Sequence, residues 1–177
     1  ARDEVAVLCR RARGVKAQGL PGVREIRSGC PDSPGPAEGG SLASSIAFGL
    51  RCALHVLHRG GAYATLYLHG AGLTSMLIVP AARLRGLRIV AKVSGGRSGT
   101  EAGSLNGNFV ALGIFRLVDA WIAVSAEIET GLREDGFPAA RIHRIPNGVD
   151  LARFQPLNAE ERSRIRKELG WDAPTAV

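Results

Sequence analysis

Short unbroken apolar runs alternate along this chain with longer stretches in which apolar residues recur at helical spacing. Val5 to Cys9 is a continuous apolar run of strand length, and Val23 to Arg27 alternates apolar and charged residues as V-R-E-I-R, the pattern of an edge or half-exposed strand. Ala64 to Leu68, Leu87 to Val93, Ala120 to Val124 and Ile142 to Ile145 read as four further strands. Between them, Leu42, Ile46, Leu50, Leu54 and Leu57 recur at helical spacing and predict a helix that buries this stripe on a sheet, with Gly60-Gly61 as its stop. Leu73, Met76, Leu77 and Leu84 mark a second helix, and Phe109 to Val118 a third, weakened by Gly113.

Local punctuation supports the same division. Ser125 stands at an N-cap position, with Glu127 and Glu129 in the first turn and Gly136-Phe137-Pro138 as the stop. Asn158-Ala159-Glu160-Glu161 fits a capping box, and Arg164, Arg166 and Lys167 lie toward the other end of that helix, before Gly170. Ser28 to Gly40, rich in Pro, Gly and Ser, is a loop. Six strands separated by crossovers of sufficient length predict an α/β protein with a mostly parallel sheet and helices on both faces.

Composition narrows the class. A chain of 177 residues with 45% hydrophobic content can bury one good core. Cys9, Cys30 and Cys52 are odd in number and lack C-x-x-C spacing, which argues against a disulfide scaffold or a zinc site and fits a reducing compartment. The net charge of +7 admits an anionic partner, but the basic residues are scattered, and nine aromatic residues with no interleaved basic run disfavour nucleic acid. Gly60 to Ala82 carries no formal charge, yet His69, four glycines and Pro80 read as strand, turn and helix rather than a membrane span. His55 and His58 stand three residues apart but lack a third ligand at suitable spacing, so they are not read as a metal site.

Candidate chemistry gathers where strands end. Ser94-Gly95-Gly96-Arg97-Ser98-Gly99-Thr100-Glu101 follows a strand and combines bare amides, hydroxyls and one guanidinium, a set suited to phosphate or carboxylate. It lacks the G-K-[ST] of a nucleotide-hydrolysing loop. His69-Gly70-Ala71-Gly72, continued to Ser75, makes a G-x-G-x-x-S run resembling a dinucleotide fingerprint, but Lys92 stands where an acid would hold the ribose, which leaves NADP rather than NAD. At Arg141 to Pro156, Pro146 stops a strand and Asn147-Gly148 is the dipeptide best able to take positive φ. Phe154 and Pro156 beyond it predict an anchored, stiffened exit.

The run I-P-N-G-V-D followed by F-x-P, preceded by D-A-W-I-A-V-S-A-E from Asp119 to Glu127, resembles the N-terminal domain of family 4 glycosyltransferases. The resemblance is strongest from about Tyr63 to Gly170. It implies a Rossmann-like N-terminal half of a GT-B fold over residues 1–150, lacking its first strand and helix, with 151–177 as linker and start of the nucleotide-sugar domain. The implied activity is retaining transfer of a hexose from a UDP- or GDP-linked donor to a carbohydrate or lipid-linked acceptor, without a bound metal or other cofactor. By the same resemblance the acceptor-side loops supply His69, Gly70, Ser94, Gly95, Gly96, Arg97, Ser98, Ser125, Glu127, Asn147, Gly148 and Asp150 as candidate substrate-binding residues.

In that reading the glycines after His69 serve the turn and close helix packing. Ser94 stands near where many relatives carry a histidine, so that residue's role does not transfer directly. Glu127 is either a functional acid or a carboxylate placed against a helix dipole. The family's paired glutamates fall outside this chain, so the chain alone is expected to be inactive, in a cytoplasmic protein with room for contact at the inner membrane face. Two other readings stay open: an NADP-binding Rossmann-type oxidoreductase using Gly70, Gly72 and Lys92, and a non-enzymatic anion-binding module.

Overall fold

The computed structural model describes residues 5–9, 23–27, 42–94 and 109–171. Among these, strands and helices alternate as β1 (Val5–Cys9), β2 (Val23–Arg27), α1 (Leu42–Arg59), β3 (Thr65–His69), α2 (Leu73–Leu84), β4 (Arg88–Val93), α3 (Phe109–Phe115), β5 (Ala120–Ala123), α4 (Ala126–Glu134), β6 (Ile142–Arg144) and α5 (Ala159–Glu168). Every strand pairing is parallel: β1 with β2, and β3-β4-β5-β6 in chain order. Parallel neighbours need crossovers, and α2, α3 and α4 supply the three in the larger sheet. The expected α/β class is therefore observed, with the strands divided between two sheets. The chain forms two compact units, Ala1–Pro146 with both sheets and Asn147–Val177 with α5.

Register decides which side chains share a face. Leu68, Ala91, Trp121 and Ile142 stand side by side across the four strands, and Leu66 pairs with Ile89 on the same side. All but the half-buried Leu66 are buried, and they join Val79 and Ala82 of α2, Phe115 of α3 and Ile128 and Leu132 of α4 in one core. The opposite face carries Tyr67, Val90 and Ala120 in one row and His69, Lys92, Ile122 and His143 in the next, all half-buried or exposed. Asp119 ties the sheet to α2, its carboxylate accepting from the Ile89 amide at 2.8 Å and from Arg83 at 3.0 Å.

The leucine stripe of α1 departs from expectation. Leu42, Leu50 and Leu54 are 68%, 49% and 53% exposed, while Gly49, Cys52, Ala53 and Val56 are buried. Spacing alone does not rank the two stripes. The small-residue stripe lets backbones approach: a Cβ on Gly49 would stand 2.7 Å from Leu77 Cδ1 and 3.4 Å from Thr74 Cα, so α1 is packed closely on α2.

At the other end of α1 the phenol of Tyr63 accepts from Arg24 of β2 at 3.1 Å and lies 3.2 Å from His55 Nε2. His58 has a local role, its Nδ1 lying 2.8 Å from the Leu54 carbonyl oxygen. Burial first, then the charges of Arg24 and Arg59, lowers the His55 pKa below the ordinary 6.5. The unfolded chain therefore binds a proton at pH values where the folded chain does not, so the contribution of His55 is full above the unfolded value and declines as pH falls through the folded one. Between about pH 7.5 and about pH 5.5 the urea midpoint should fall less in His55→Gln than in the wild type. Equal slopes would show that His55 is not linked to folding.

The second unit is organised by polar caps. Asn158 Oδ1 accepts from the Glu161 amide at 2.8 Å and the Glu161 carboxylate accepts from the Asn158 amide at 3.3 Å, the predicted capping box. Asp150 Oδ1 accepts from Ala152 and Arg153 amides, and its carbonyl accepts from Phe154 at 2.8 Å. The exit past Pro146 is thus shaped by Asp150. Phe154 is not the expected anchor: its ring is 64% exposed, with the Arg153 guanidinium 5.8 Å from its centroid.

Candidate functional site

Parallel pairing sends the carboxyl ends of β3 to β6 to one rim, ending in His69, Val93, Ala123 and Arg144. The ladder continues one residue further, with the Gly70 amide donating to Lys92 O and the Ile145 amide to Ala123 O, each at 2.9 Å. His69 is thus the last residue of β3 rather than the first of the turn, exposed, with its ring centroid 6.4 Å from that of Tyr67 in an edge-on arrangement.

The turn after it is tightly made. Gly70 has φ of 100°, a conformation that side chains disfavour, and its carbonyl accepts from the buried Ser75 hydroxyl at 2.8 Å. Gly72 caps α2 in extended conformation, and a Cβ there would meet nothing within 4 Å. So Gly70 and Ser75 of the G-x-G-x-x-S run serve the turn itself, and Gly72 is under no local steric demand.

Across the rim, Ser94 is exposed directly after β4, and Gly95, Gly96, Arg97 and Ser98 lie outside the described residues. Ser125 caps α4, its Oγ accepting from the Ile128 amide at 3.3 Å. Glu127 is exposed in the first turn, where the helix dipole favours a carboxylate. Its neighbour Glu129 is engaged, with Arg133 at 2.6 Å and Arg144 at 3.9 Å. Asn147, Gly148 and Asp150 belong to the second unit. Gly148 does not take the positive φ expected of it; among the described residues Gly70, Gly86, Gly136 and Gly170 do. The turn forms later, over Leu151 to Arg153.

The pattern of parallel strands joined by helical crossovers has a counterpart among known families. The family model described as glycosyl transferase 4-like domain matches residues 1–148. The chain belongs to that family.

Two solved structures illustrate the fold of this glycosyl transferase 4-like domain. The crystal structure of Anabaena HepE in complex with UDP aligns at a TM-score of 0.52 and 16% identity, over 85% of this chain and 37% of that one. The complex of the same protein with UDP and glucose gives 0.51 and 17%, over 85% and 38%. The domain therefore spans well under half the length of these relatives in structure. No curated protein matches it.

In this domain the rim brings His69, Gly70, Ser94, Ser125 and Glu127 to one end of a sheet. Lys92 and His143 share the row of His69, which residue spacing alone did not reveal, because lateral neighbours are fixed by pairing. Among the described residues no group of three potential metal ligands is found, and no helix is long and apolar enough to cross a membrane.

Proposed function

We propose that this chain is the acceptor-side domain of a retaining glycosyltransferase that moves a hexose from a UDP- or GDP-linked donor to a carbohydrate or lipid-linked acceptor. The observation that carries the reading is the family match over residues 1–148, on a parallel sheet whose carboxyl rim carries His69, Gly70, Ser94, Ser125 and Glu127. Open parallel sheets bind ligands at that rim. The HepE complexes hold UDP, alone or with glucose, which agrees with a uridine-linked donor.

The role of the rim is to hold the acceptor hydroxyl against the donor's anomeric carbon. Positioning of that kind is worth roughly 7 to 11 kcal/mol of barrier. Departure of the nucleoside diphosphate would be assisted by groups in a second, donor-binding domain and without a metal. The domain arrangement, an N-terminal Rossmann-like part over 1–150 and a linker into the donor domain over 151–177, belongs to the same proposal.

Incubation of the 177-residue chain with UDP-glucose or GDP-mannose and an oligosaccharide acceptor should give no transfer, whereas the chain joined to a donor-binding domain should transfer with retention at the anomeric carbon. Transfer by the chain alone, or inversion by the longer protein, would refute the proposal. NADPH titration gives a second readout: saturable binding at Gly70 and Lys92 would favour the oxidoreductase reading.

A further inference from the structure

The smaller sheet has few apolar holds on the rest of its unit. Val5 and Val7 of β1 are exposed, and among the described side chains Leu8 is the one through which β1 and β2 reach the core. Segments with little buried apolar contact open at lower cost than the fold as a whole. A polar contact at such a place therefore weighs heavily in keeping β2 where it is.

The polar contact described there is a relay. Arg24 of β2 donates from Nη2 to the Tyr63 phenol oxygen at 3.1 Å, and the same oxygen lies 3.2 Å from His55 Nε2 of α1. Three pieces of chain meet at that oxygen: β2, α1 and the segment leading into β3. A guanidinium can only donate, so the phenol accepts from Arg24 and has its own proton to give to the imidazole. That direction requires an unprotonated Nε2, which is the neutral ring with its proton on Nδ1.

Protonation reverses one end of the relay. The imidazolium Nε2 is a donor, so two cationic donors would then stand within 3.2 Å of one oxygen, and the phenol proton would lose its acceptor. The other charged or titratable groups described around the ring are Arg51, His58 and Arg59 on α1, and Arg85 between α2 and β4, whose guanidinium stands beside Gly61. His58 is held at the Leu54 carbonyl, and burial, then Arg24, then Arg59 resist a proton on His55 while β2 is in place. Of the two donors to the phenol, Arg24 is exposed and His55 half-buried, so Arg24 is the one for which water can replace the lost partner.

We propose that His55 is a pH-operated latch, which when neutral holds β2 to α1 through Tyr63 and Arg24, and when protonated lets β2 move away while the four-stranded sheet stays folded. The device is independent of the transferase reading. Only hydrogen bonds change, and one proton is taken up from solvent at each release. The latched ring binds a proton less readily than the ordinary value of 6.5 allows, and the released ring regains that value. The released population therefore rises as pH falls through 6.5, by up to about tenfold per pH unit, and levels off below the latched value.

The test is nuclear magnetic resonance of the isotope-labelled 177-residue chain, following the His55 ring titration and the cross-relaxation peaks between the Tyr63 ring and the Arg24 side chain. Peaks between Leu66 and Ile89, partners across β3 and β4, serve as the internal standard. From about pH 7.5 to about pH 5.5 the Tyr63 to Arg24 peaks should lose about half their intensity or more, in step with the His55 titration, while the standard holds. His55→Gln, which takes up no proton in this range, should keep them at both pH values. Tyr63→Phe removes the donor to the neutral ring and should move the His55 midpoint up toward 6.5. If Tyr63→Phe does not fold, the wild type and His55→Gln decide the matter by themselves. Peaks that persist through the His55 titration, an equal loss in His55→Gln, or an unmoved midpoint in Tyr63→Phe would overturn the proposal. Loss of the Leu66 to Ile89 peaks over the same range would overturn it too, since the whole unit would then be unfolding rather than β2 being released.

Discussion

Trp121→Ala lowers the free energy of unfolding by about 3 to 5 kcal/mol, the range for truncating a large buried aromatic. Trp121 has no exposed surface and stands on the buried face of β5, 5.9 Å from the Phe115 ring at the end of α3 and 4.7 Å from the Phe137 ring after α4. Removing it opens a cavity where two crossover connections meet the sheet. Its Nε1 is buried with no hydrogen-bond partner among the described residues, so Trp121→Phe loses ring volume but no hydrogen bond. The phenylalanine variant should therefore lie between wild type and alanine in urea unfolding followed by circular dichroism. An alanine variant within about 1 kcal/mol of wild type would show that this cluster does not organise the core.

Gly49→Leu destabilises by about 1 to 3 kcal/mol through overpacking. The added side chain would meet Leu77 Cβ at 3.3 Å and Thr74 Cα at 3.4 Å from its first carbon alone, and the Thr74 backbone cannot turn away. Gly49→Ala differs in kind. Its single methyl conflicts mainly with the mobile end of Leu77, at 2.7 Å, while alanine recovers up to about 1 kcal/mol of helix propensity. The alanine variant should stay close to wild type and the leucine variant should not, read from the same urea curves. Two equal losses would mean that α1 and α2 admit no adjustment, and two negligible ones that they are not closely packed.

Short-range chemistry was legible from the residues. The N-cap at Ser125, the capping box at Asn158 and Glu161, and the stop at Gly136 with φ of 84° all form as read, since each is settled among residues within a few positions of one another. The strands were found to within about a residue at each end, because continuous apolar runs between turn signals have few other uses in a chain of this composition. Residue type likewise put His69, Ser94 and Ser125 at the ends of β3, β4 and β5.

What the sequence determined by itself is the kind and order of its elements, their caps and their stops, because side-chain patterning along one stretch and, for helices and caps, hydrogen bonding within it are local. Tertiary structure alone decided which stripe of α1 is buried, since a leucine row and a small-residue row share the same period and only the approach of α2 separates them. It also decided that His69, Lys92 and His143 share one row, since lateral neighbours in a parallel sheet come from distant parts of the chain and their register is set by pairing rather than by spacing.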